Sequence, residues 1–239
     1  MPIIITNKHV IRGSKNGRFV LTKSDSKGNP IHSEHITVQL ENFESLWRLH
    51  PDPNVDLCAM PVGKIINAAN QQGVNFFFIC FDKSLIPDKT TLQEFSILED
   101  ILMVGYPNGI WDKVNNQPIL RKGITATHIK FDYEGRQEFM IDMACFPGSS
   151  GSPIVLYKPS GYSDNSGSFV IESPKFKLLG ILYAGPQHTA IGEIKIVNIP
   201  TSERSSPAAF SRIPNNLGLV IKSSRILELE KLFPPLPQA

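Results

Sequence analysis

Cysteine is scarce. The 239 residues hold three, Cys58, Cys80 and Cys145, an odd number at wide spacing. Three scattered thiols build no disulfide framework, and none has metal-ligand spacing, so a reducing compartment and a cytoplasmic location are expected. A surplus of one charge is also missing: 24 Lys and Arg stand against 22 Asp and Glu, a formal net charge of +2, with no basic cluster. That balance argues against nucleic acid as a partner. No run of about 18 apolar residues occurs, which removes a transmembrane helix and with it an expected membrane partner. The opening "MPIIITNKHV" has no basic segment ahead of a long apolar one and a small-residue cleavage site, so it does not read as a signal peptide. Helical periodicity is sparse, and no repeat of solenoid length is present.

What the chain does have is alternation. In "HITVQL" (35–40), Ile36, Val38 and Leu40 face one way and Thr37 and Gln39 the other, the period of a half-buried strand. "RFVLTK" (18–23), "DLCAMPV" (56–62), "DILMVGY" (100–106), "QEFMIDM" (137–143), "SPIVLY" (152–157), "KLLGILYAG" (177–185) and "LGLVIK" (217–222) also read as short strands bounded by turn residues. Many short strands between turns predict an all-β sandwich or barrels. Helices are predicted over 63–73, 86–98 and 223–233. The last is capped by Ser223 or Ser224, lined by Ile226, Leu227 and Leu229, and stopped by Pro234. Residues 157–175 read as a long exposed hairpin, and "PPLPQA" as a frayed tail. The proline-bounded stretch 84–98 links an N-terminal β lobe, 1–85, to a C-terminal β lobe, 86–239.

The chemistry centres on "CFPGSSGSPIV" (145–155). A serine hydroxyl attacks a carbonyl only with a base at hydrogen-bond distance and with N–H donors aimed at the developing oxyanion. Glycines beside the serine let the backbone turn so that those donors converge. In this frame Ser150 is the nucleophile, and the amides of Gly148 and Ser150 form the oxyanion hole. A plain Ser/Gly turn between two strands would use the same residues. Of six histidines, His9 stands at the end of an apolar strand, where a cleft can lie. Asp56 opens a buried strand, a costly place for an unpaired acid, and can orient the imidazole. Asp52, between Pro51 and Pro53, is its rival.

His, Asp and Ser in that order resemble the chymotrypsin-like, or trypsin-like, serine peptidases. "ITNKHV" is similar to the family's Thr-Ala-x-His, "VDLCAM" to its Asp-Ile-Ala-Leu, "PGSSGSP" to its Gly-Asp-Ser-Gly-Gly-Pro, and "LLGILYAG" to the strand lining its specificity pocket. His9 and Asp56 lie 47 residues apart, and Asp56 and Ser150 lie 94 apart. The closing "LGLVIKSSRILELEKL" resembles the last strand and C-terminal helix of bacterial members. The resemblance implies two six-stranded Greek-key β-barrels with a C-terminal helix, no metal or organic cofactor, and a protein or peptide substrate. It implies catalytic roles for His9, Asp56 and Ser150. Family members usually have two strands ahead of the one carrying the histidine. This chain opens inside that third strand, so the first barrel is expected to be truncated at its N-terminus.

Departures from the family pattern shape the expectations. Ser149 stands where animal members carry the Asp that pairs with a freshly cut N-terminus, so activity without trimming is expected. The pocket floor, six residues before the nucleophile, is Ala144. A neutral floor cannot pair with Arg or Lys, which implies a small or medium apolar preference. Leu182 stands where glutamyl-specific relatives place a histidine, although His188 follows in the next loop. Tyr183 occupies a position where a small hydroxyl usually lies near the catalytic Asp, and either fills that role or only packs. Backbone groups of Tyr183 to Gly185 are expected to hold substrate as an added strand. Cys145 lies against the pocket wall or packs in the core. The alternative function, suggested by the incomplete first barrel, is an inactive peptidase-fold module that binds peptides.

Overall fold

In the computed structural model, which describes residues 2–158, 162–163, 169–170, 175–193 and 208–233, the N-terminal lobe is built from six strands. They are β1 (Ile3–Thr6), β2 (Asn16–Ser24), β3 (Pro30–Glu41), β4 (Arg48–Leu49), β5 (Cys58–Pro61) and β6 (Phe76–Phe77), with helices α1 (Lys8–Ile11) and α2 (Gly63–Gln71) between them. The strands pair as two separate three-stranded sheets, β1-β5-β4 and β3-β2-β6. Among the described residues this lobe does not close into a barrel. Alternation holds the β2–β3 hairpin in register: Phe19 opposes Val38 and Leu21 opposes Ile36. Ile11, Trp47, Cys58 and Met60 form the lobe's core, with Ile4, Phe19, Leu40 and Phe43 packed against it.

The second lobe begins with α3 (Lys89–Glu94), which is shorter than the helix expected over 86–98. Asp88 accepts the Thr91 N–H at 2.7 Å and starts it. Phe95 turns to extended backbone and is 4 % exposed, which ends it. Then follow β7 (Asp100–Gly105), β8 (Ile119–Thr125), β9 (Glu138–Asp142), β10 (Pro153–Lys158), β11 (Tyr162–Ser163), β12 (Phe169–Val170), β13 (Lys175–Ala184), β14 (Gln187–Glu193), β15 (Ala208–Pro214) and β16 (Leu217–Lys222). Six of these close into a barrel, in the order β10-β13-β16-β9-β8-β7. Closure leaves no edge, and Ile101, Met103, Phe139, Ile141, Ile154 and Leu156 fill the interior with no exposed surface. Burying each such side chain stabilises by about 1.5–3 kcal/mol. Inside the expected hairpin 157–175, β11 and β12 pair antiparallel, and the remaining 159–161, 164–168 and 171–174 lie outside the described residues. The tail 234–239 does too.

The closing helix is a 3-10 helix, Ser223–Leu232, with no side-chain cap. Its apolar residues explain the geometry. Ile226, Leu229 and Leu232 recur every third residue, so three residues per turn place them in one line against the core. Leu227, expected on the buried side, is 41 % exposed. Together with Ile3, Ile5, Leu57 and Ala59 of the first lobe and Ile181 and Ile221 of the barrel, this helix forms an apolar seam between the lobes.

The thiols sit unequally. Cys58 and Cys145 are buried and Cys80 is exposed. Burial pushes the Cys58 thiol up to about 12 and the Cys145 thiol up to about 11. Thiolate is the reactive form, so both are inert near neutrality. Titration of the native protein at pH 8 with a disulfide reagent is expected to release one equivalent quickly and the other two only on unfolding. Two or more fast equivalents would contradict this burial.

Candidate active site

β1 ends at Thr6, and α1 begins two residues later, so His9 lies in a short helix rather than at the strand end the sequence suggested. Asn7 makes that turn. It is wholly buried, and its Nδ2–H donates to the Asp56 carbonyl at 2.8 Å. Lys8 Nζ donates to the Asp52 carbonyl at 3.0 Å. The turn before α1 is thereby fastened to the loop that leads into β5. Asp56 lies in that loop, two residues before Cys58 opens the strand. Its side chain is 23 % exposed, less buried than an acid inside a strand would be.

Asp56 grips His9 twice. Oδ1 accepts the His9 backbone N–H at 3.1 Å, and Oδ2 accepts from Nδ1 at 2.5 Å. A carboxylate facing Nδ1 assigns the hydrogen to that nitrogen and leaves Nε2 with its lone pair. Ser150 Oγ lies 3.0 Å from Nε2 and donates to it. Three side chains far apart in sequence thus form one hydrogen-bonded line across the seam. The rival Asp52 pairs instead with Arg225 Nη2 at 2.8 Å. His50 is a satisfied core residue: Nε2–H donates to the Arg225 carbonyl and Nδ1 accepts from the Asp52 N–H.

The loop around Ser150 depends on two glycines at positive φ. Gly148 and Gly151 both lie near +83°. A Cβ on Gly151 would fall 2.4 Å from Thr6 Oγ1, so its absence lets β1 abut the loop that carries Ser150. A Cβ on Gly148 would fall 2.9 Å from the Tyr106 carbonyl. The amides of Gly148 and Ser150 donate to no acceptor among the described residues, whereas Ser149, Gly151 and Ser152 N–H are all bonded. Two free donors beside the hydroxyl can receive an oxyanion.

Arg121, on β8, supports this loop from behind, a role that sequence reasoning missed. Its Nη1–H donates to the Ala144 carbonyl at 2.5 Å and its Nη2–H to Ser149 Oγ at 3.0 Å. Ser149 is 1 % exposed, so the contact is internal. Burial lowers the guanidinium pKa from its usual value, with the nearby Cys145 opposing.

The residues expected to bind substrate divide. Ala144 is half-buried at the start of the loop that carries Ser150, with Arg121 against its carbonyl. Gly185 is exposed, and the Cβ it lacks would sit 3.5 Å from Cys145 Cβ, so these segments face each other closely. Cys145 itself is 8 % exposed and belongs to the barrel core. Leu182 is a correction: at 2 % exposure in that core, its side chain offers no surface to substrate. Its backbone accepts from Gly151 N–H at 2.8 Å and donates to the Ser152 carbonyl at 2.9 Å. Tyr183 is another. The register of β13 against β16 shifts between Leu182 and Ala184, leaving Tyr183 as the extra residue of a bulge. Its carbonyl lies 3.5 Å from Ser150 Oγ, but its hydroxyl donates to Glu138 Oε2 at 2.8 Å and not to Asp56. Burial and that carboxylate raise the phenol to about 12. The side chain of His188 lies outside the described residues.

Among the described residues no group of His, Cys, Asp and Glu is arranged to hold a metal ion, and no helix is long and apolar enough to cross a membrane. No curated protein matches the sequence. Among solved structures the chain is similar to Rv3671c from M. tuberculosis H37Rv, a serine-to-alanine mutant in its inactive form. The identity is 13 %, the TM-score is 0.39, and the match covers 98 % of this chain and 79 % of that one. The sequence pattern of the trypsin-like peptidase domain matches residues 3–158, a span that contains His9, Asp56 and Ser150. The chain belongs to the trypsin-like peptidase domain family.

Proposed function

We propose that this protein is a serine endopeptidase, and the line Asp56–His9–Ser150 is the observation that carries the reading. Ser150 Oγ attacks the scissile carbonyl carbon as its proton passes to His9 Nε2. The imidazolium that forms is stabilised by Asp56 at Nδ1. The carbonyl oxygen, now an anion, takes the free amides of Gly148 and Ser150. His9 then gives the proton to the leaving amine, the C–N bond breaks, and an acyl ester remains on Ser150. Water, deprotonated by His9, hydrolyses the ester and returns the serine.

The acyl half of the substrate lies along Tyr183–Gly185, where the bulge removes Tyr183 from the β13–β16 ladder. Ala144 gives the pocket floor no charge, and the guanidinium of Arg121 stands against its carbonyl. Both features disfavour Lys and Arg at the cleavage position, so a small or medium apolar residue is preferred there. Cytoplasmic location fits the three unpaired thiols.

A fluorophosphonate probe tests the reading. Wild-type protein is expected to bond covalently to it with loss of fluoride, and peptide mapping to place the adduct on Ser150. Ser150→Ala is expected to abolish labelling. No adduct on wild type, or an adduct that survives in Ser150→Ala, would favour the inactive peptide-binding module.

A further inference from the structure

Asp56 comes from a loop that a second acid, outside the line Asp56–His9–Ser150, holds in place. That acid is Asp52, and each of its polar groups has a partner. Its N–H donates to His50 Nδ1 at 3.1 Å, and its carbonyl accepts from Lys8 Nζ at 3.0 Å and from the Val55 N–H at 3.2 Å. Oδ1 accepts the Asn54 N–H at 2.9 Å, and Oδ2 accepts from Arg225 Nη2 at 2.8 Å. The loop also closes on itself, with the His50 N–H on the Leu57 carbonyl at 2.9 Å. One residue therefore touches both segments that bring His9 and Asp56 together: Lys8 stands beside His9, and Val55 beside Asp56.

Arg225 comes from the other lobe. It lies in the 3-10 helix that continues β16 of the barrel, and its side chain is 14 % exposed. Helix and loop exchange bonds in both directions: the guanidinium donates to Asp52, and the Arg225 carbonyl accepts His50 Nε2–H at 3.2 Å. Glu228 Oε1 lies 3.0 Å from Arg225 Nε, and its Oε2 lies 3.6 Å from His50 Nε2. Ile226 and Leu229 of the same helix pack with Val55 and Leu57 in the apolar seam. An ion pair in open solvent contributes little to stability. This one joins two backbone segments across the seam, so its effect is on position.

We infer that Asp52 and Arg225 are positioning residues: their ion pair clasps the loop of Asp56, in the first lobe, to the barrel that carries Ser150, and thereby sets His9 Nε2 against Ser150 Oγ. The inference rests on the peptidase reading and deepens it. Two of the three residues proposed to react belong to one lobe and the third to the other, so their 3.0 Å contact depends on how the lobes sit. Among the described residues the first lobe forms two sheets and no closed barrel, so its loops draw order from contacts of this kind. A reacting group displaced by about 1 Å loses about 100-fold in rate, even when the change that displaces it is distant.

Two substitutions test the clasp. Arg225→Met removes the donors at similar length and leaves the residue 225 carbonyl for His50. Asp52→Asn keeps an oxygen for the Asn54 N–H but loses the charge that faces the guanidinium. Each is expected to lower kcat on a peptide about 10- to 100-fold, with KM changed by less than about threefold. The double variant should stay within about threefold of either single, because the two side chains act as one unit. Arg225→Lys should return kcat to within about threefold of wild type, since one ammonium can meet the single oxygen Oδ2. A spectroscopic signature follows the same change without substrate. The proton in the 2.5 Å bond between His9 Nδ1 and Asp56 Oδ2 gives a far-downfield NMR resonance. It is expected to be sharp in wild type and in Arg225→Lys, and broadened or lost in Arg225→Met. Wild-type kcat and an unchanged resonance in Arg225→Met would overturn the inference and leave the peptidase reading intact. A lower melting temperature with kcat kept, or losses that add in the double variant, would overturn it too. If wild type forms no fluorophosphonate adduct, the peptidase reading fails and the resonance alone decides: its loss in Arg225→Met keeps the clasp, and its persistence removes it.

Discussion

Replacing His9 by Ala is expected to lower kcat for peptide hydrolysis by about a million-fold, and Asp56→Asn by about ten-thousand-fold. The difference follows from what each residue does. Without His9, nothing accepts the Ser150 proton: the Tyr183 carbonyl, 3.5 Å from Oγ, is no base at neutral pH. Asp56→Asn keeps an oxygen for the His9 backbone N–H but presents an amide to Nδ1. The hydrogen then shifts to Nε2, and the nitrogen facing Ser150 loses its lone pair. Ser150→Ala should cost about as much as His9→Ala, and the double variant little more, because the two act as one unit. Steady-state kinetics on one apolar-specific peptide checks all four. A His9→Ala enzyme that kept even a tenth of the activity would show that the base is elsewhere.

The three residues proposed to react drew notice because each sits in a short local pattern. Gly148 and Gly151 announce the tight loop around Ser150, and an acid before the apolar run of β5 announces Asp56. What the sequence concealed depends on long-range packing. β8 escaped notice because its alternation is inverted. Leu120 is 67 % exposed and Thr125 fully buried, and Arg121 turns inward to the nucleophile loop. A strand whose inner face is largely polar does not resemble one that packs a core, so the strand and Arg121 were missed together. Tyr183 pointed away from Asp56 for a related reason: a bulge reverses the side-chain alternation, and no residue type signals a bulge. Leu182 shares a motif position with pocket residues elsewhere, yet an apolar side chain next to a barrel interior goes into it. The spacing that produces the 3-10 helix was in plain view at Ile226, Leu229 and Leu232, but three-residue spacing also fits the face of an α-helix. The expectation for the first lobe held in part: its strands are there, but among the described residues they form two sheets and not a closed barrel.

Removing Arg121 is the second change expected to have a large effect, although the residue touches no substrate. Arg121→Met should lower kcat by about 100- to 1,000-fold, the loss typical of one oxyanion donor. Peptide donors stabilise an anion only if they are aimed before it forms. The loop 144–150 is held from inside by two guanidinium bonds, to the Ala144 carbonyl and to Ser149 Oγ. In animal relatives the position of Ser149 carries an acid that a newly cut N-terminus must reach; here a cation on β8 already occupies the space behind the loop. Methionine fills similar volume without donors, so the Ala144 carbonyl and the buried Ser149 hydroxyl lose their partner and the loop relaxes. Arg121→Lys should recover little, since one ammonium on a flexible stem does not span both acceptors as a planar fork does. KM should change by less than about threefold, because on the proposed reading ground-state binding uses Tyr183–Gly185 rather than the oxyanion donors. Affinity for a peptide boronate, which mimics the tetrahedral adduct, should fall in proportion to kcat. Equal losses in kcat and in thermal stability without weakened boronate binding would assign Arg121 to the barrel's packing alone.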